Sequence, residues 1–283
     1  MVQAPNEIGI PVEWRLVAEL EDPSTSHQRR ATIGDLLDQL GDPRPGVGLR
    51  PDGTPDLVWC EIPGGQLQIE GTNGPLEVKP FFMAKYLLTH VQYKAFLNDP
   101  EGYNHNGNWN GLERPAEPGQ QFRLVGNHPA ETVSWYEAAA FCRWLSRRLG
   151  FEIRLPYESE WQQAATSGNG ANTYPWGLGW KEGYANTYES HLGRTTAVGM
   201  YPQAASGQGV MDLAGNVWEW CANLLDHPNS RSGKNTELRV LRGGSGYGRR
   251  EFARALYRDV YFAGPDFRLN HLGFRVVCDF PLR

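Results

Sequence analysis

Residues 239–278 read RVLRGGSGYGRREFARALYRDVYFAGPDFRLNHLGFRVVC. Two ordered blocks, RVLRGGS at 239–245 and LGFRVVC at 272–278, enclose a stretch of different character. The first reads as a strand running into a glycine turn, the second as a closing strand. Between them Tyr247, Phe252, Tyr257, Tyr261, Phe262 and Phe267 alternate with Arg249, Arg250, Arg254, Arg258 and Arg268. No helical or strand period fits this spacing. Aromatics and arginines on irregular chain match the composition of a binding surface better than that of a core.

Outward from this segment, the charge is uneven. Residues 239–275 hold eight arginines, no lysine and three acids, a local net charge of +5, which leaves −10 for the rest of a chain whose net charge is −5. The overall balance does not suggest nucleic acid as a partner. A second reading of the arginines is that they brace the loop through buried bonds to carboxylates and carbonyls.

Forty per cent hydrophobic residues in a chain of 283 predict a folded globule, and 33 glycines with 20 prolines predict many turns. No apolar run reaches membrane-spanning length. The start, MVQAPNEIGIPVEWRLVAEL, lacks a basic opening followed by an apolar core, so the expected location is cytoplasmic. Cys60, Cys142, Cys221 and Cys278 fit no metal spacing and are expected to be buried free thiols.

Residues 1–50 read as a helical arm followed by a Pro/Gly linker, with the main domain over 51–283. In the arm, Thr32 is the expected N-cap of a helix carrying Ile33, Leu36, Leu37 and Leu40 on one face and stopping at Gly41. In the domain, LVWCEIPGGQLQIEG predicts two strands around Gly64-Gly65, and PLEVKPFFMAKYLLTH another. Thr89 with Gln92, and Ser134 with Glu137, form capping boxes for two amphipathic helices, the second ending at Gly150. FEIRLP then reads as a strand, and regular patterns fade after Gly168.

Six blocks in order, HPAETVSWYEAAAFCRWLS, RLPYESEWQQAA, YPWG, GVMDLAGNVWEW, RVLRGGS and LGFRVV, resemble the formylglycine-generating-enzyme (sulfatase-modifying factor) domain. That resemblance implies an α+β, C-type-lectin-like fold with a small twisted antiparallel sheet, two main helices and long ordered loops. In the family's aerobic enzymes a cysteine pair between GGS and GFR binds copper and activates oxygen. Soft thiolates are what such chemistry requires, and residues 245–271 contain no cysteine. The family's iron branch uses histidines from an added helical domain. Here His27, His90, His105, His128, His191, His227 and His271 are scattered, with no pair at helical ligand spacing.

The segment is most similar to that of the variable proteins of diversity-generating retroelements, which present a hypervariable C-terminal region on this fold. Gly243-Gly244-Ser245, Pro265-Asp266-Phe267-Arg268 and Gly273-Phe274-Arg275 match that frame. Position 246 departs from it, being Gly where the family commonly has Trp. Diversification of adenines in AAC or AAT codons does not readily give Lys, Gln, Glu, Trp or Met. Between Ser245 and His271 only Glu251 belongs to that set. The resemblance therefore implies a non-catalytic protein whose variable region, 241–278, binds a protein or other ligand. The alternative is a copper-dependent oxidase of the formylglycine-generating type.

The expected frame is Arg242, Arg254, Arg258, Arg268 and Arg275. The expected contact residues are Tyr247, Arg249, Phe252, Tyr257, Asp259, Tyr261, Phe262, Phe267, Leu269, Asn270 and His271. A core role for Phe252, Tyr257 and Phe267 stands as the alternative. Trp161, Trp176, Trp218 and Trp220 are read as packing residues. The resemblance also marks GVMDLAGNVWEW as a calcium loop, with Asp212, Glu219 and the carbonyls of Gly215 and Val217 as ligands. A turn in which the two carboxylates accept backbone bonds is the other reading. No cofactor is required, a structural Ca²⁺ apart, and neither nucleic acid nor membrane is an expected partner.

Overall fold

The computed structural model describes residues 9–227, 238–259 and 264–280. Its elements are short, and the loops between them are held by side chains. Three small sheets carry the strands. Strand β1 (Trp59–Ile62) pairs antiparallel with β4 (Phe81–Ala84), which pairs with β8 (Val277–Cys278). A hairpin joins β2 (Gly65–Leu67) and β3 (Leu76–Val78). In the third sheet β5 (Trp218–Leu224) lies between antiparallel β6 (Arg239–Arg242) and parallel β7 (Leu272–Gly273). Every residue of β5 is buried, as a strand covered on both faces must be.

The two expected capping boxes are present. Thr89 opens α3 (His90–Asn98) with Gln92 reaching back, and Ser134 opens α4 (Trp135–Leu149) with Glu137 doing the same. Gly150 ends α4 in the left-handed region. Their facing rings form the main core: Phe96 and Phe141 have centroids 5.6 Å apart, and Phe141 and Phe274 5.3 Å. Phe274 of the GFR block is thus fixed between the helices, which anchors the far end of the C-terminal loop. A second core gathers Trp161, Val240, Val277 and Cys221 under the near end. All four cysteines are free and buried. Among the described residues no helix is long and apolar enough to cross a membrane.

Several readings of the sequence need correction, among them the closing strand LGFRVVC, which divides into β7 in one sheet and β8 in another. The arm contains two helices, α1 (Val12–Leu20) and α2 (His27–Leu40), and Ser26, not Thr32, caps the second. Thr32 lies one turn inside, its hydroxyl donating to the Gln28 carbonyl. Leu40 is exposed whereas Ile33 and Leu37 are buried. The Pro/Gly stretch is a packed strap instead of a linker. The Gln92 amide donates to the carbonyls of Gly46, Gly48 and Asp56, and buried Arg44 donates to Val198 O at 2.6 Å.

The strands around Gly64-Gly65 exist but pair with β4 and β3 rather than with each other. Finally, FEIRLP makes only an isolated bridge, Arg154 to Val277, because Ile153 donates to Ser146 Oγ of α4 and the chain turns at once into α5 (Glu158–Thr166).

Candidate functional site

The GGS turn sets the start of the C-terminal loop. Gly243 and Gly244 have φ of 96° and 73°, a region that disfavours any side chain. A Cβ on Gly244 would also lie 3.0 Å from the Ala253 backbone, so the turn and the 3₁₀ helix Arg250–Ala253 are packed directly together.

Beneath the loop, arginines meet buried carboxylates. Arg275 holds Glu219 through two bonds, 2.5 and 2.8 Å, and donates to Met211 O at 3.0 Å; both side chains are fully buried. Arg258 donates to Glu158 at 2.8 Å and to Glu70 O at 2.9 Å. Arg242, 3.5 Å from the same Glu158, also donates to Tyr257 O at 2.7 Å. Arg268 donates to Glu137 Oε2 at 2.8 Å. Glu137 is the capping-box residue of α4, so one carboxylate ties the helix start to the loop. Of the five expected frame arginines, Arg254 alone differs: it is exposed, and among the described residues its Nε donates to the nearby Glu251 O alone.

Above this layer lies a pocket of about 390 Å³. Its lining includes Tyr247, Phe252, Asp259, Leu269 and His271 from the expected contact set. Tyr247 and Phe252 are 37% and 38% exposed, so neither is a core residue. The Tyr247 and His271 rings stand 5.3 Å apart, and Phe252 lies 5.1 Å from Tyr257. Burial lowers the His271 pKa below the ordinary imidazole value, which favours the neutral ring, and its Nδ1 is hydrogen-bonded to Asn270 Oδ1 at 2.9 Å. Burial raises the Tyr247 hydroxyl, with Glu131 adding to the effect.

Four of the other contact candidates fall outside the lining. Arg249 is exposed, Asn270 is half-buried, and Tyr257 and Phe267 lean against the main core. Tyr261 and Phe262 lie outside the described residues.

The pocket also uses residues that the sequence did not point to: Trp218, Leu241, Ser245, Gly248 and Leu272. Trp218 is buried, as expected of a packing residue, yet it forms pocket wall as well. Its place follows from pairing: Trp218 lies opposite Leu272, and its N–H donates to His271 O at 2.8 Å. Asp259 is brought in the same way, by backbone bonds to Leu241. No linear spacing contains these contacts.

The four residues of the calcium reading are placed differently. Both oxygens of Glu219 accept from Arg275, and a cation bound there would face a buried guanidinium; that carboxylate does not fit as a calcium ligand. Asp212 sits at φ 59°, accepts the Gly199 N–H at 2.7 Å, and is pushed up to about 6 by burial. This is the arrangement of a turn. Gly215 is needed where it is, since a Cβ would come 2.2 Å from Asn186 O, and Val217 is buried. Among the described residues no group of three or more His, Cys, Asp or Glu is arranged to hold a metal.

The family described as the sulfatase-modifying factor enzyme 1-like domain matches residues 50–280. The chain belongs to this family. A similar relative is the inactive C-alpha-formylglycine-generating enzyme 2 of Bos taurus, 26% identical over 273 residues, with 76% of this chain and 86% of the relative covered. Another is the formylglycine-generating enzyme of Thermomonospora curvata, also 26% identical, over 77% of this chain and 92% of that protein. The family thus contains both working and inactive members. Among solved structures, PvdO from Pseudomonas aeruginosa aligns with a TM-score of 0.64 at 23% identity, covering 84% of this chain and 99% of that one. Treponema denticola variable protein 1 aligns at 0.60 and 24% identity, covering 80% and 96%. The fold is therefore α+β, of the C-type-lectin-like, formylglycine-generating-enzyme type.

Proposed function

We propose that this protein is a binding protein rather than an enzyme, and that its C-terminal segment is a displayed recognition face of the kind found in retroelement variable proteins. The observation that carries the reading is the division of labour in that segment. Arg242, Arg258, Arg268 and Arg275 are tied to buried carboxylates, while Tyr247 and Phe252 are exposed at a pocket and Arg249 is exposed outside its lining. Such an arrangement lets the outer side chains change without disturbing the support.

Two features weigh against oxidase chemistry. No cysteine lies between Ser245 and His271. Burial also raises the Cys221 thiol well above its ordinary value and pushes Cys278 up to about 12, so both are protonated at neutral pH.

The test is genetic. DNA flanking the gene is expected to contain a reverse-transcriptase gene and an adenine-rich near-copy of the stretch encoding residues 246–271. Their absence removes the diversification reading. In parallel, oxygen uptake with a cysteine-containing peptide after copper loading is expected to stay at background, and turnover would establish the oxidase instead.

A further inference from the structure

The charge on the recognition face says what kind of partner it suits. The positive net charge of residues 239–275 is not all available at the surface, because four of its eight arginines are paired below the loop and Arg239 is buried. What remains outward is a short run on one turn. Arg249 is exposed and makes no ion pair among the described residues. Arg254 is exposed and, among the described residues, bonds only to a local carbonyl. Arg250 pairs with exposed Glu251 at 3.2 Å, a contact that solvent weakens. These side chains alternate with three exposed apolar ones, Tyr247, Phe252 and Leu256, at 37, 38 and 45%. Tyr247 and Phe252 form the lip of the pocket, whose walls are otherwise largely apolar.

We infer that the partner is a protein surface rich in Asp or Glu that inserts one aliphatic or aromatic side chain into this pocket. The inference rests on the binding reading above and specifies its partner. An apolar anchor in a desolvated pocket supplies affinity. Carboxylates around it meet the rim guanidinium groups, which hold them with paired donors. A polynucleotide fits less well. Three arginines interrupted by Glu251 are too short a track for a continuous phosphate backbone, Asp259 lines the pocket, and Glu189 accepts the Arg250 backbone N–H.

The experiment selects a random peptide library on the whole chain and measures the enriched peptides by fluorescence anisotropy. Enriched sequences are expected to carry acidic residues flanking an apolar one. Affinity is expected to fall about ten-fold or more in the R249E/R254E double variant and in Phe252→Ala. Circular dichroism of each variant should match the parent, since these side chains are exposed.

Enrichment of neutral or basic peptides that still depend on Phe252 would overturn the acidic-partner inference and leave the binding reading standing. Peptides indifferent to both variants, or no enrichment at all, would overturn both. A thymidylate oligonucleotide that binds more tightly than any selected peptide, and is lost with R249E/R254E, would assign the face to nucleic acid and overturn the inference.

Discussion

The two sides of the C-terminal loop use one residue type for opposite purposes. Below, Arg275 and Glu219 are fully buried and doubly bonded, and Arg268 reaches the carboxylate that caps α4. Above, Arg249 and Arg254 stand in solvent. A buried guanidinium is costly unless every donor is used, so it fixes one geometry. An exposed one contributes little to folding and is free to serve recognition. The difference teaches that sequence density of arginine is not itself a sign of a charged surface. Burial decides which arginines the outside world meets.

This comparison breaks most visibly at Arg275. Arg275→Leu leaves Glu219 buried without its partner and is expected to cost about 3–5 kcal/mol in urea unfolding. A loss under about 1 kcal/mol would mean the pair is not a frame element. Glu137→Ala comes next, because it removes acceptors for Ser134 N, Gly119 N and Arg268 together. Its expected cost is about 2–3 kcal/mol.

A third test uses pH. Burial raises Glu131 from 4.5 to about 7, so the folded state favours the neutral acid. Its contribution to stability is present below the unfolded pKa of 4.5 and is lost as pH rises through about 7. Glu131→Gln should flatten that part of the stability profile, and an unchanged slope between pH 4.5 and 8 would contradict the assignment. The smallest effects belong to the outer face: Tyr247→Ala and Arg249→Ala are each expected within about 0.5 kcal/mol of the parent.

Much of this frame was legible in the sequence. The capping boxes were, because Thr89-Gln92 and Ser134-Glu137 are local signals with a fixed spacing. The GGS turn was, because glycine at positive φ leaves a local mark; the closing block LGFRVVC was not, because its apolar run hides a division between β7 and β8, which pair in different sheets. Helix α2 was found but its start was misplaced, since Thr32 and Ser26 are equally good caps locally and only the upstream turn chooses. The strap at residues 41–56 was misread because Gly and Pro signal turns whether or not distant side chains hold them; Gln92 does the holding.

At the pocket, the exposed aromatics were readable from their irregular spacing. Trp218 and Leu241 were not, because they enter through strand pairing across the chain. Glu219 looked like a ligand because its partner, Arg275, lies 56 residues away in sequence.

The most direct measurement compares two libraries sorted for protease resistance. One randomises Tyr247, Arg249, Phe252, Asp259, Leu269 and His271 together; the other randomises Arg242, Arg258, Arg268 and Arg275. Most members of the first are expected to remain folded, and most of the second are not. Equal collapse of both would contradict the separation of face from frame.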